Sequence, residues 1–206
     1  MKEASIWQQG IPLRACLLIG GRSSRMGRPK HLIKGQNGLT WVENTVNLLQ
    51  PFTDKIVLSG RGDVPSSLNS LVRLPDVPDV QGPLTGILAA MRWKPDSCWL
   101  LLACDMPNIT SEALEWLLAS RKPDSWGTVP RLKEDGFVEP LLALYEPQSK
   151  TYFEELYSSG CLRISMVARQ SNIATPVVPK SLCRAWSNIN TPDELSQSLL
   201  DSDSNV

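Results

Sequence analysis

Arg14-Ala15-Cys16-Leu17-Leu18-Ile19 is a short apolar run that ends in Gly20-Gly21, and Arg22-Ser23-Ser24-Arg25-Met26-Gly27-Arg28-Pro29-Lys30 follows at once. A brief run of this kind reads as a strand covered on both faces. The paired glycines mark the point where it leaves the sheet. The loop beyond them carries three arginines and a lysine.

Outward from this stretch, strand-like and helix-like segments alternate. Val42, Val46 and Leu49 fall on one face of a helix over Leu39–Leu49. Lys55–Ser59 reads as the next strand and Leu71–Leu74 as a third. Leu84–Trp93 reads as helix. Cys98–Cys104 (CWLLLAC) has the pattern of a central strand. Thr110 opens a helix that runs through Ser120, with Glu112 in its first turn. Val138–Tyr145 reads as a strand in which Pro140 requires an edge or a bulge. Pro147–Ser158 reads as helix, and Thr191-Pro192-Asp193-Glu194 as a helix start with a capping box. This alternation predicts an α/β fold, a single domain with a doubly wound, mostly parallel sheet. The expected limits are an N-terminal extension over 1–13, the domain over 14–198 and a polar tail over 199–206.

Composition narrows the function. The chain has 206 residues, a length suited to one α/β domain. Lys+Arg and Asp+Glu number 21 each, so there is no basic excess of the kind a nucleic-acid binder carries. No apolar run reaches membrane-spanning length, and the first dozen residues lack the apolar centre of a secretory signal. The five cysteines form no CxxC pair, and His31 is the only histidine, so no zinc set is expected. Reduced thiols in a cytoplasmic protein are the expectation.

The loop's chemistry points to phosphate. Glycines let the backbone approach a ligand closely. Their amides, with the Ser23 and Ser24 hydroxyls, can donate to phosphate oxygens. The cations neutralise a triphosphate's charge. Two familiar phosphate loops are excluded. Arg28-Pro29 separates Gly27 from Lys30 and His31 follows, so there is no contiguous Gly-Lys-Ser/Thr; a G-x-G-x-x-G pattern is also absent. In open α/β sheets ligands bind beyond the carboxyl ends of strands. Asp105 stands at such an end, with Pro107 stiffening the turn. One carboxylate there, plus substrate phosphates, suits Mg²⁺.

The segment Leu18–Lys30 resembles the L-x-G-G-x-S-x-R-M-G-x-x-K signature of the MobA-like nucleotidyltransferases. That family includes molybdenum cofactor guanylyltransferases, cytidylyltransferase relatives and, more distantly, sugar-phosphate nucleotidyltransferases. Cys104-Asp105-Met106-Pro107 is similar to its C-D-x-P motif, and Gly82-Pro83-Leu84-Thr85-Gly86 to its G-P-L-x-G element. Glu139-Pro140-Leu141 with Tyr145 resembles a PL-x-A-x-Y strand, and Asn188–Pro192 a closing N-x-N-T-P element. The likeness covers Leu18 to about Leu195. It implies a Rossmann-like nucleotidyltransferase fold.

The resemblance also implies roles. Leu18, Ile19 and Gly20 would contact the base through their backbone, Gly21 would join them in binding the nucleotide, and Arg25 and Lys30 would hold the phosphates. Asp105 would bind Mg²⁺. Asp76, which directly follows LVRL, would meet the nucleotide in preference to Asp79. Arg163 would face the acceptor. Asn190 stands either in the metal site or as a helix-start residue. Ser59-Gly60-Arg61 departs from the pattern, since guanylyltransferases tend to carry an Asn after this strand.

The implied reaction moves GMP from GTP to a phosphorylated pterin-type acceptor, in a monomer or weak homo-oligomer. An acceptor phosphate is already anionic, so its in-line attack on the α-phosphorus needs no general base. Arg25, Lys30 and Asp105 would be the catalytic set, acting by positioning and charge neutralisation. Transfer with another base or to another acceptor, such as a sugar phosphate, is an alternative. A nucleotide-binding regulator is a second, which the carboxylate at Asp105 disfavours.

Overall fold

The computed structural model describes residues 10–20, 29–191 and 193–194. Leu13–Leu18 forms β1 and Cys98–Ala103 forms β4, and the two lie side by side in parallel. β2 (Lys55–Ser59) flanks β1 on its other side, and β3 (Val72–Leu74) lies beyond it. With β5 (Gly127–Thr128), β6 (Ala143–Tyr145) and β7 (Ile173–Ala174) they make one seven-stranded sheet, in the order β3-β2-β1-β4-β6-β5-β7. β6 is antiparallel to both neighbours, and the other strands share one direction.

The apolar runs in β1 and β4 are continuous because both faces are covered. Leu13, Ala15 and Leu17 pack on one side with Cys98, Leu100 and Leu102, while Cys16, Trp99 and Leu101 pack on the other. α1 (Trp41–Leu49) and α3 (Ser111–Ala119) cover the first face with Val42, Val46, Leu114 and Leu117. α2 (Pro83–Trp93) and α4 (Lys150–Ser158) cover the second with Ile87, Leu88 and Phe153. Helices on both faces make the sheet doubly wound, as the alternation predicts. Among the described residues no helix is long and apolar enough to cross a membrane.

The helix starts form by capping. Thr40 accepts from the Glu43 N–H while the Glu43 carboxylate takes the Thr40 N–H, at 3.3 and 2.8 Å. Thr110 Oγ1 accepts from the Ala113 N–H at 3.3 Å. Each such cap contributes about 1 kcal/mol. Near the end, Glu194 N–H donates to Thr191 Oγ1, but the Glu194 carboxylate takes the N–H of Asn190 at 2.6 Å rather than that of Thr191. The reciprocal bond of the expected box is therefore displaced by one residue.

Two expectations need correction. Val138–Tyr145 is not one strand: only Ala143–Tyr145 pairs in the ladder, and Val138 makes a lone antiparallel bridge to Arg131. The break is at Leu142, which is fully buried at φ +56°. Its N–H donates to Leu101 O at 2.7 Å, and its carbonyl accepts from the Trp186 indole at 3.1 Å. These bonds hold the chain in a kink that an unbroken ladder does not allow. Pro147–Ser158 opens as a 3₁₀ turn over Pro147–Ser149 before α4 begins. Cys16, Cys98 and Cys104 are buried free thiols, as expected. Desolvation pushes Cys16 up to about 12 and Cys104 to about 11.

Candidate active site

The strand order turns around between β1 and β4, so the crevice for a ligand lies beyond their carboxyl ends. Register fixes what stands there. Leu18 pairs with Ala103 on one side and with Ser59 on the other, and Ser59 pairs with Leu74. Two residues beyond each of these positions come Gly20, Asp105, Arg61 and Asp76. These four form a row across four adjacent parallel strand ends. Three strand spacings of about 4.8 Å give the row a span of about 14 Å.

At the β4 end of the row, Asp105 is presented by a turn between two buried anchors, Cys104 and Met106. Lys30 Nζ lies 3.0 Å from Asp105 Oδ2 and 2.7 Å from Asn190 Oδ1. Lys30 opens a 3₁₀ turn, Lys30–Leu32, and its side chain is 14% exposed. Ile189 brings the third partner in. Its N–H donates to the Asp105 carbonyl at 2.9 Å, and its side chain packs with Ile33 and Trp41. The small apolar cluster thus fixes both the segment that carries Lys30 and the one that carries Asn190.

Glycines allow the tight packing in the middle of the row. The Ile19 N–H donates to Ser59 O at 2.8 Å, and a Cβ on Gly60 would stand 1.7 Å from Ile19 O. Gly20 has φ +107°, and a Cβ there would meet the Arg61 carbonyl at 3.1 Å. Helix α2 approaches from below. Gly82, at φ +72°, turns the chain into it, Pro83 sits at its start, and Gly86 packs where a Cβ would come within 2.4 Å of Leu18 Cδ2. Thr85 ties the helix to the loop after β3 by accepting from the Val77 N–H at 2.7 Å. The G-P-L-x-G element is thus explained by turn, helix start, core contact and close approach.

At the β3 end, Arg61 Nε donates to Asp76 Oδ2 at 3.1 Å. Arg73 braces the same loop: one terminal nitrogen donates to Gly60 O at 3.1 Å and to Gly62 O at 2.8 Å. Arg73 escapes sequence reasoning, because an arginine at an exposed position of an edge strand has no signal of its own. Asp79 is exposed at φ +62°, a turn residue, whereas Asp76 is held in the row.

Gly21 and Arg25, with Arg22, Ser23, Ser24 and Arg28, lie outside the described residues. Arg163 is exposed at the start of the 3₁₀ segment Ile164–Arg169. Tyr145 is a core residue whose hydroxyl donates to Pro140 O at 2.8 Å. A surface hollow at the opposite end of the sheet is lined by Gly10–Leu13 and Pro51–Asp54. Among the described residues its one charged lining group, Asp54, is engaged by the Leu13 N–H at 2.8 Å.

The donor set suits a hard divalent cation. The Asp105 carboxylate and the Asn190 amide oxygen already share one cationic group, the Lys30 ammonium. Among the described residues no three His, Cys, Asp or Glu side chains converge on a metal position. A cation here would therefore draw most of its ligands from phosphate and water, as Mg²⁺ does.

Three kinds of likeness bear on this geometry. A family model described as the MobA-like NTP transferase domain matches residues 15–173. The chain is 32% identical over 191 residues to a Synechocystis protein named "Molybdenum cofactor biosynthesis bifunctional protein"; the match takes in 90% of this chain and 53% of that protein, about half its length. It is 29% identical over 162 residues to a Bacillus mycoides protein named "Probable molybdenum cofactor guanylyltransferase", covering 76% of this chain and 80% of that one. Among solved structures, "Molybdopterin-guanine dinucleotide biosynthesis protein A" from Archaeoglobus fulgidus superimposes with a TM-score of 0.75 at 27% identity, over 93% of this chain and 99% of the other.

Proposed function

The chain belongs to the MobA-like NTP transferase family, and from that premise we propose that it transfers GMP from GTP to a phosphorylated pterin-type acceptor of molybdenum cofactor synthesis. The observation that carries this reading is the meeting of Lys30, Asp105 and Asn190 at one end of a row whose other end is Arg61 and Asp76. One end is built for phosphate and a cation, the other for a nucleoside. The relatives named for guanylyl transfer supply the base and the acceptor.

Laid along the row, the nucleoside lies over Leu18–Gly20, beside Arg61 and Asp76. The α-phosphate then lies near Asp105. Asp105, with Asn190 beside it, would hold Mg²⁺, which when bound would supply charge neutralisation for the phosphates. Lys30 exchanges its bond to Asp105 for a phosphate oxygen, and Arg25 and the Gly20-Gly21 amides add further donors. The acceptor phosphate needs no base to attack in line. The residues therefore act by holding two anions in register and relieving their repulsion. Arg163, on the exposed segment after α4, faces the acceptor in this reading.

The test is pyrophosphate release on mixing the protein with Mg²⁺, each NTP in turn, and either a phosphorylated pterin-type acceptor or a sugar 1-phosphate. Release with GTP and the pterin acceptor alone is the expected result. Release with CTP in place of GTP, or only with the sugar phosphate, would overturn the guanylyl assignment and leave nucleotidyl transfer standing. NTP-dependent thermal stabilisation without release under any combination would point to a binding protein.

A further inference from the structure

We infer that Arg61 is the residue that reads the purine base, by donating from its two terminal nitrogens to O6 and N7 of guanine. The inference rests on the proposed GTP reading and concerns the same site.

Arg61 occupies the third place in the strand-end row, between Gly20 and Asp76. Its backbone abuts that of Gly20, whose Cβ position lies 3.1 Å from the Arg61 carbonyl. It therefore borders the segment Leu18–Gly20 directly. Its loop is rigidly held. Gly60 is pressed against Ile19 O, and Arg73 occupies the carbonyls of Gly60 and Gly62 on either side. With those carbonyls taken, the guanidinium of Arg61 is the cationic donor group that this loop offers.

The side chain is oriented but not consumed. Asp76 takes only Nε, at 3.1 Å, and the side chain is 92% exposed. An ion pair so open to water adds little stability, so packing does not account for it. Its effect is to turn the guanidinium, leaving two parallel N–H donors free along one edge. Guanine presents two acceptors in matching geometry, O6 and N7, and arginine is the usual partner for that pair. Adenine puts an amino donor at position six and opposes one of them. Cytosine has no N7. A donor set against a donor leaves both unsatisfied, which is how sites built on hydrogen bonds discriminate. Asp76 then acts as a positioning residue for Arg61, with its second oxygen left for the nucleotide. Ser59-Gly60-Arg61, which departs from the family's pattern, becomes this chain's own way of recognising the base.

Binding of GTP, ITP and ATP with Mg²⁺, measured by calorimetry, tests the assignment in the wild type, Arg61→Ala and Arg61→Lys. ITP keeps O6 and N7 and lacks the 2-amino group, so the wild type should hold GTP and ITP alike and both at least about tenfold tighter than ATP. Arg61→Ala should weaken GTP and ITP together by about ten- to a hundredfold and leave ATP within about twofold. Arg61→Lys keeps the charge but loses the fork, so its GTP-to-ATP ratio should fall as in the alanine variant. Equal weakening of all three nucleotides would make Arg61 a phosphate or ribose contact and overturn the inference. So would a GTP preference that survives in Arg61→Ala, which leaves the guanylyl reading intact. A wild type that prefers ATP would overturn both.

Discussion

Lys30 Nζ and Asp105 Oδ2 stand 3.0 Å apart at the end of β4, a pairing between residues 75 apart in sequence. With side chains 14% and 22% exposed, the pair is shielded from salt more than a surface bridge is. In the proposed reading, a phosphate-binding cation and a metal-binding anion are thereby stored against each other.

Asp105→Asn should keep the fold and lose turnover. Groups that merely orient a metal ligand cost about 10–100-fold when lost, so losing the ligand itself should cost at least about a hundredfold. Pyrophosphate release and a thermal melt read the two effects separately. Wild-type turnover with an unchanged Mg²⁺ requirement would remove Asp105 from the metal site.

Lys30→Ala should raise KM for the NTP and lower kcat together. A hydrogen bond to a charged group contributes about 1.5–3 kcal/mol. That corresponds to a fall of roughly ten- to a hundredfold in kcat/KM. Unaltered triphosphate affinity in calorimetry would mean that the ammonium stays on Asp105 and Asn190 throughout.

Gly60→Ala should destabilise the whole domain. The residue has φ +117°, and a methyl group there would sit 1.7 Å from Ile19 O, so the ends of β1 and β2 must part. The backbone conformation alone costs about 1–3 kcal/mol, and the displacement adds to it. Gly38→Ala is the control: φ is +79° with open space around it, and its cost should stay near 1 kcal/mol. Urea midpoints that move equally in the two variants would show that the contact is soft.

The Glu43 cap should show its own pH dependence. The hydroxyls of Ser67 and Thr40, and the Thr40 N–H, hold its carboxyl below the usual range. A carboxyl with a lower pKa folded than unfolded adds stability that is fully present above the unfolded value. That stability is lost as pH falls through the folded one. Glu43→Gln should therefore be less stable than wild type at neutral pH, with the gap closing towards pH 3. A gap that is constant with pH in urea titrations would place the effect in packing instead.

Much of this architecture is legible in the sequence because burial on two faces writes itself as unbroken apolar runs. β1 and β4 stand out for that reason, and with them the positions of Gly20 and Asp105. The cap at Thr110 is legible because side-chain and helix-start chemistry are local. β5 and β7 are not. Two residues each, Gly127–Thr128 and Ile173–Ala174, have no periodicity, and only their neighbours make them strands. The kink at Leu142 escapes for a similar reason: its positive φ is imposed by Leu101 and Trp186, both distant in sequence. Pro140 marks the neighbourhood of the break but not its place. In the candidate site, Lys30, Asp76 and Asp105 come from motif resemblance. Arg73 and the anchoring of Arg61 by Asp76 emerge only when β2 and β3 are laid side by side.

Asn190 reaches Lys30 across 160 residues, and Ile189 fastens it there through Asp105 and Trp41. During synthesis every strand of the sheet leaves the ribosome before these two residues do. On the proposed function, nucleotide capture becomes a late event of maturation, since a nascent chain with its sheet already assembled would lack the completed phosphate end. Fragments ending at Ser187 should retain the far-ultraviolet signal of the sheet and bind no nucleotide. Full-affinity binding by such a fragment would show that the phosphate end closes without them.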